Sequence, residues 1–344
     1  MTLTAFILTA ALTLAPLKPA QTIDLSAQGS AAADVTWLGD NDLLVALAIG
    51  GVAQVSLDPA RVKLWLPQGD LPNGVPSAEL IASDGDLVVV MGGGQRNYVF
   101  RKRDGKPVDG FLGGPLNPRG LAVSRNTAFY MGWITKNGTD EDQQRGVLWS
   151  QAAGGKLSER PIHRIVSGDD ALARWRLTMH PYGGAMVALA DGSIGVIDSA
   201  EPGIYRYDAQ GKLVEVLASG IDSLVVDSPR LVKSYARDIV GRYDDVLDRQ
   251  PSIDDLVATP TGLAILVRVA DEGRVGWQLW HPGKNDVQRI RPLEPKLNGP
   301  IAHMKCESRG NRLACVTNRP NPEQARQPGP AASNPTLFVY RLDR

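Results

Sequence analysis

From about residue 32 to its end, the chain runs in short apolar stretches separated by polar turns. The clearest example is residues 185–217, "AMVALADGSIGVIDSAEPGIYRYDAQGKLVEVL". "MVALA" meets the turn "DGS", "IGVID" follows, then the loop "SAEPG", the run "IYRYD", the turn "AQGK" and "LVEVLA". Runs of this length, rich in Val, Ile and Tyr and bounded by Gly, Asp and Pro, predict strands. Four of them joined by short links predict an antiparallel meander.

The same layout recurs along the chain, and a repeated meander decides the fold class. "DVTWLG" and "DLLVALAI" open one unit, "AELIAS" and "DLVVVM" a second, and "GLAVS" and "TAFYMGWI" a third. The stretch above is the fourth, "DDLVAT" and "LAILVRV" open a fifth, and "AHMKCES" and "NRLACVT" open a sixth. The sixth unit runs out of chain after its third strand, "TLFVYRLD". A spare strand, "QTIDLSA", precedes the first unit. Pairing Thr22–Ser26 with the terminal strand would remove an open edge. The expected fold is therefore all-β: a six-bladed propeller of four-stranded blades, closed by the N-terminal strand.

In such a blade the A–B and C–D turns lie on one face of the ring, and the B–C and D–A connections on the other. The A–B turns are short throughout ("DN", "DG", "RN", "DGS", "PTG", "RG"). The long segments, 135–145, 167–184, 219–250 and 318–335, all fall on the B–C and D–A face. Long loops on one side of a rigid scaffold are where binding is expected. Residues 229–248 read as a helical insertion between blades four and five. Ser228 caps it, Pro229 suits its first turn, and Val232, Tyr235, Ile239, Tyr243 and Val246 form one apolar stripe. That stripe is expected to pack on the propeller as a lid, or else to bind a partner.

Charge narrows the partners. Lys plus Arg and Asp plus Glu both number 37 in the 344 residues, so the net charge is zero. Nucleic-acid binding would leave a basic excess, and none is present. The opening "MTLTAFILTAALTLAPLKPA" has an apolar core too short to span a bilayer. It is read as an export signal over residues 1–20, with cleavage after Ala20 and a single domain over 21–344; an uncleaved anchor or a misplaced start is the alternative. No other run is long enough for a transmembrane helix, and a monomer is expected. Export permits a disulfide. If "SRGN" turns a hairpin, Cys306 faces Cys315 at bridging distance; two buried thiols are the alternative.

The stretch 191–217, with its Asp-Gly turn, its strand ending in Asp-Ser and its Asp-x-x-Gly-Lys, resembles an NHL repeat. The ring as a whole is similar to exported bacterial six-bladed propellers of the NHL and TolB-like kind. Proteins of that broad kind include binding modules, enzymes and many of unknown role, so the resemblance speaks to fold more than to activity.

The common catalytic signatures (G-x-S-x-G, H-E-x-x-H, the P-loop) are missing from the sequence. Candidate ligand-binding residues are those expected where A strands begin and B strands end: Glu79, Arg119, Trp133, Asp198, Asp254, His303 and Asn318. Asp34, Asp255, Gln95 and Asp271 fall at similar positions. Such a set suits an anionic or sugar-like ligand, with Arg119 as bidentate donor. The expected function is an exported, non-enzymatic propeller that binds a small polar ligand or a protein, without a cofactor. The alternative is a metal-dependent hydrolase or lactonase. Six-bladed lactonases of the gluconolactonase kind hold a divalent metal at the channel mouth. Here Glu79, Asp198, Asp254 and Asn318 would take a cation such as calcium, and His303 or a carboxylate would move a proton.

Overall fold

The structure is a computed structural model. It describes residues 15–69, 74–92, 96–108, 116–133, 146–152, 158, 162–164, 184–198, 203–218, 252–271, 274–282, 284, 286–295, 303–320 and 333–342.

Strand β1 (Gln21–Asp24) opens the chain's regular structure. Blade one follows as β2 (Ala32–Trp37), β3 (Asp42–Leu47), β4 (Gly51–Leu57) and β5 (Ala60–Pro67). Blade two holds β6 (Leu80–Asp84), β7 (Leu87–Gly92), β8 (Arg96–Arg101) and β9 (Pro107–Val108). Blade three holds β10 (Leu116–Ser124), β11 (Thr127–Trp133), β12 (Gly146–Ala152) and β13 (His163–Arg164). Blade four holds β14 (Gly184–Ala188), β15 (Ile194–Asp198), β16 (Gly203–Tyr207) and β17 (Leu213–Ala218). Blade five holds β18 (Ser252–Thr259), β19 (Gly262–Asp271), β20 (Arg274–His281) and β21 (Asp286–Pro295). Blade six supplies β22 (Met304–Arg309), β23 (Arg312–Pro320) and β24 (Ser333–Arg341).

Each blade is a four-stranded antiparallel meander, and the sixth takes β1 as its outer strand in the order β1-β24-β23-β22. The ring is thus a six-bladed propeller closed by its N-terminal strand. Gln21 pairs with Val339 and Asp24 with Thr336, slightly earlier than the expected Thr22–Ser26. Leu25 then plugs into the apolar layer between blades six and one. Gln21 also donates from Nε2 to the Leu57 carbonyl at 3.2 Å, tying the closing strand to blade one.

The core is divided into layers, one between each pair of neighbouring blades. Alternate residues of an inner strand face the two neighbouring layers. This is why those strands read as continuous apolar runs rather than as alternating ones. The Cys pair is a disulfide with Cα atoms 4.1 Å apart, in the expected register: Cys306 opposite Cys315 and Glu307 opposite Ala314.

The outer strand of blade three, expected over "LSERPI" (157–162), lies mostly outside the described residues; Ser158 and Ile162 donate to the Ser150 and Leu148 carbonyls of β12 at 2.8 and 2.7 Å, and β13 follows at His163–Arg164. The helix expected over 229–248 lies outside the described residues, as do most of the long segments on the B–C and D–A face.

Candidate functional site

The first strand of each blade lines a central channel with about 540 Å³ of free space, its open mouths included. Its lining is sorted by sector. Blades two to four contribute an apolar wall that includes Leu80, Leu121, Met186 and Val187, whereas Asp34, Asp255, Lys305 and Glu307 come from blades one, five and six.

The charged wall is built by a repeated backbone device. The register of β2 against β3 shifts between Ala32 and Asp34, and that of β18 against β19 shifts between Ile253 and Asp255. Such a bulge re-aims a side chain. Asp34 Oδ1 accepts from the Val35 amide at 2.9 Å, and Oδ2 accepts from the Ile81 amide of blade two at 3.0 Å. Asp255 repeats the arrangement two junctions away. Its Oδ1 accepts from the Leu256 amide at 3.0 Å, and Oδ2 accepts from the Cys306 amide of blade six at 2.7 Å. Glu307 closes the sequence, its Oε2 accepting from the Trp37 amide of blade one at 2.6 Å. Each carboxylate is therefore a staple between consecutive blades.

Burial pushes Asp34 up to about 7, with the Asp255 charge adding to the rise and Lys305 opposing it. Burial likewise pushes Glu307 up to about 7, with Asp34 and Asp255 contributing. Burial also raises Asp255, against the pull of Lys305 at 3.8 Å.

Asp254 behaves in the opposite way. Burial alone would raise it. The positive charge of His303, the hydrogen bond to that ring and the nearby Arg268 outweigh burial and hold it at about 2. Its Oδ2 accepts from the Trp277 indole at 2.7 Å and the Met304 amide at 3.0 Å; its Oδ1 lies 3.1 Å from His303 Nδ1. Arg268, itself wholly buried, donates from Nε to Ser252 at 3.0 Å. His303 keeps half of its side chain exposed.

The A–B face is stitched as well. Ser83 donates to the Trp37 carbonyl at 2.8 Å, and Ser124 to the Gly192 carbonyl at 2.8 Å. Arg309 pairs with Asp40, and Ser308 bonds the Ala258 carbonyl. The "RN" turn of blade three has positive φ at Arg125 (48°) and Asn126 (63°), a geometry that favours Asn and Gly. Arg125 holds it because its amide donates to Asp84 of blade two at 2.7 Å and its guanidinium to the Asp191 carbonyl of blade four at 2.8 Å. Gly192, in the facing "DGS" turn of blade four, has a φ of 85°, a conformation that L side chains rarely adopt, so that turn favours glycine.

Of the sequence candidates, Asp254 and His303 meet. Asp198 is buried at the end of β15, opposite Gly184. Glu79 is exposed, just ahead of β6. Arg119 lies in β10, Trp133 ends β11 opposite Leu116, and Asn318 lies in β23 opposite Pro335; their side chains fall outside the described set. Among the described residues, no group of three or more His, Cys, Asp or Glu is disposed to hold a metal ion. Glu307 and Lys305 were not among the candidates. The available signal was a pair of charges, "KCE", inside an inner strand where apolar residues are the rule.

These features define a six-bladed β-propeller with a half-charged, half-apolar channel. No protein-family model and no curated protein matches the chain. Among solved structures it is similar to a member of the duf4221 family from Bacteroides vulgatus, at 8% identity and TM-score 0.56, over 94% of this chain and 97% of that one. It is also similar to a structural genomics protein of unknown function from Bacteroides thetaiotaomicron, at 14% identity and TM-score 0.51, over 94% and 73%. The WD40 repeats of RRP9 match at 10% identity and TM-score 0.52, over 95% and 99%. At such identities the likeness is one of fold.

Proposed function

We propose that this is an exported, non-enzymatic propeller of the NHL or TolB-like kind, binding a small polar ligand or a protein through the face that carries the long B–C and D–A connections. One observation carries the reading: the channel carboxylates and the A–B turns are spent on bonds within and between blades. Asp34, Asp255 and Glu307 accept backbone amides, and Asp254 accepts an indole, an amide and an imidazole. What is left for recognition is the long-connection face. Export is supported by the disulfide, which persists in oxidising compartments.

Pro320 and Ser333 stand directly opposite each other in β23 and β24. A short Gly-Asn-Gly link can therefore replace residues 321–332 without moving either strand. The expected result is loss of partners crosslinked in an envelope or culture fraction, with an unchanged melting temperature. Full retention of those partners, in this variant and in point variants of 219–250, would contradict the reading.

A second reading, a hydrolase or lactonase at the channel mouth, is favoured by the half-exposed His303 held at Nδ1 by buried Asp254. Its metal-dependent form is tested by melting residues 21–344 with calcium and with a chelator. The binding reading predicts no difference; a large rise with calcium would shift the account to this second reading.

A further inference from the structure

Among the described residues, the carboxylates Asp255, Glu307 and Asp34 form a run of buried staples. They sit at the junctions of blades five and six, six and one, and one and two. Two of these junctions flank blade six, the blade completed by the distant strand β1. The junction of blades four and five, by contrast, is packed with Ala185, Ile197, Leu256, Ile265 and Val267.

We infer that blade six is an acid-tightened latch: its junctions with blades five and one hold firmly in mildly acidic solution and open more readily as the solution turns mildly alkaline.

Asp34 from β2, Asp255 from β18 and Glu307 from β22 share one wall of the channel with Lys305, while the facing residues Leu80, Leu121 and Met186 carry no charge. Lys305 is already engaged, donating to the Asp254 carbonyl at 2.7 Å and lying 3.8 Å from Asp255. On the outer side Lys102 feels Glu307 but is itself opposed by Arg309. Arg309 is paired with Asp40. Asp254 and His303 answer each other. Protons are therefore what neutralise the remaining carboxyls, and Asp34 and Glu307 both hold theirs up to about 7.

The sign follows from linkage. A carboxyl whose closed-state value lies above its open-state value keeps its proton better when closed. The stabilisation is complete below about pH 4 and disappears as pH rises through about 7. Between those limits, opening of the junction becomes about tenfold easier per pH unit for each such group.

The test is hydrogen exchange on the intact chain at pH 5 and pH 8, corrected for intrinsic chemistry. Protection of the Trp37 amide, which bonds Glu307, is expected to fall by at least about tenfold, and that of the Cys306 amide, which bonds Asp255, to fall with it. That of Val196 and Ile197 in blade four should hold. Glu307→Gln keeps an oxygen for the Trp37 amide and loses the titrating proton, so it should flatten the response at Trp37. Lys305→Met removes the neighbouring cation and should weaken the junctions more at pH 8 than at pH 5. A uniform change around the ring, an unaltered response in Glu307→Gln, or an equal effect of Lys305→Met at both pH values would overturn the inference. It stands apart from the binding reading, since loss or retention of partner capture leaves these exchange rates unaffected.

Discussion

Deleting residues 21–25 is expected to abolish the cooperative melt and drive the protein into aggregates. This short segment makes the whole outer ladder of blade six, from Gln21 opposite Val339 to Asp24 opposite Thr336. The Leu25 amide adds a bond to the Pro335 carbonyl at 2.9 Å. Leu25 is fully buried, and Ile23 packs on the same layer. Burying one such side chain is worth roughly 1.5–3 kcal/mol, and each backbone bond adds roughly 0.5–1.5 kcal/mol net. The sum is comparable to the roughly 5–15 kcal/mol that holds an ordinary domain together. The nine-residue strand β24 would also be left with a bare edge, ready to pair with another chain. Leu25→Ala isolates the packing part and should cost about 2–5 kcal/mol. Chemical denaturation with light scattering checks both. A truncated protein that melts cooperatively as a monomer would mean that β1 does not close the ring.

The second large effect is expected at Asp254. Asp254→Ala removes the acceptor for the Trp277 indole and the Met304 amide, and strips the buried Arg268 of a neighbouring anion. Each buried donor left alone costs about 1–3 kcal/mol. A melting temperature lower by roughly 10 °C or more is expected. His303→Ala should cost under about 1 kcal/mol, because that ring is half exposed and its pair is solvent-screened. A His303→Ala variant as unstable as Asp254→Ala would show that the pair, not the carboxylate hub, carries the junction. The carboxyl is held at about 2, so its contribution is complete above about pH 4 and fades as pH falls towards 2, opposite in sense to that of Asp34 and Glu307.

The blades and the Cys306–Cys315 pairing were legible because apolar runs, Gly-bearing turns and hairpin register lie within a few residues of each other. The closing strand, which joins the two ends of the chain, was legible from the strand count: one to spare at the start and one missing at the end. The staples were not legible, for a physical reason. Glu307 bonds the Trp37 amide across a separation of 270 residues. Asp34 and Asp255 reach the next blade only because a bulge redirects them, and strand alternation does not reveal a bulge. Asp34 and Asp255 could be placed near the channel from their strand positions, but as ligands for something else rather than as acceptors of backbone amides. Asp254 and His303 both mark the start of an inner strand in consecutive blades, and the structure brings them within 3.1 Å of each other. Glu79 sits at a similar position and is exposed, so position in a strand alone does not decide what a charge does.

The central claim is that recognition uses the long-connection face while the opposite face and the channel wall hold the ring together. Crosslinking of captured partners, followed by mapping of the linked residues, tests it most directly. The account predicts links in 135–145, 167–184, 219–250 and 318–335, with none at the A–B turns around Asp40, Arg125 and Arg309. Links concentrated at those turns would contradict it.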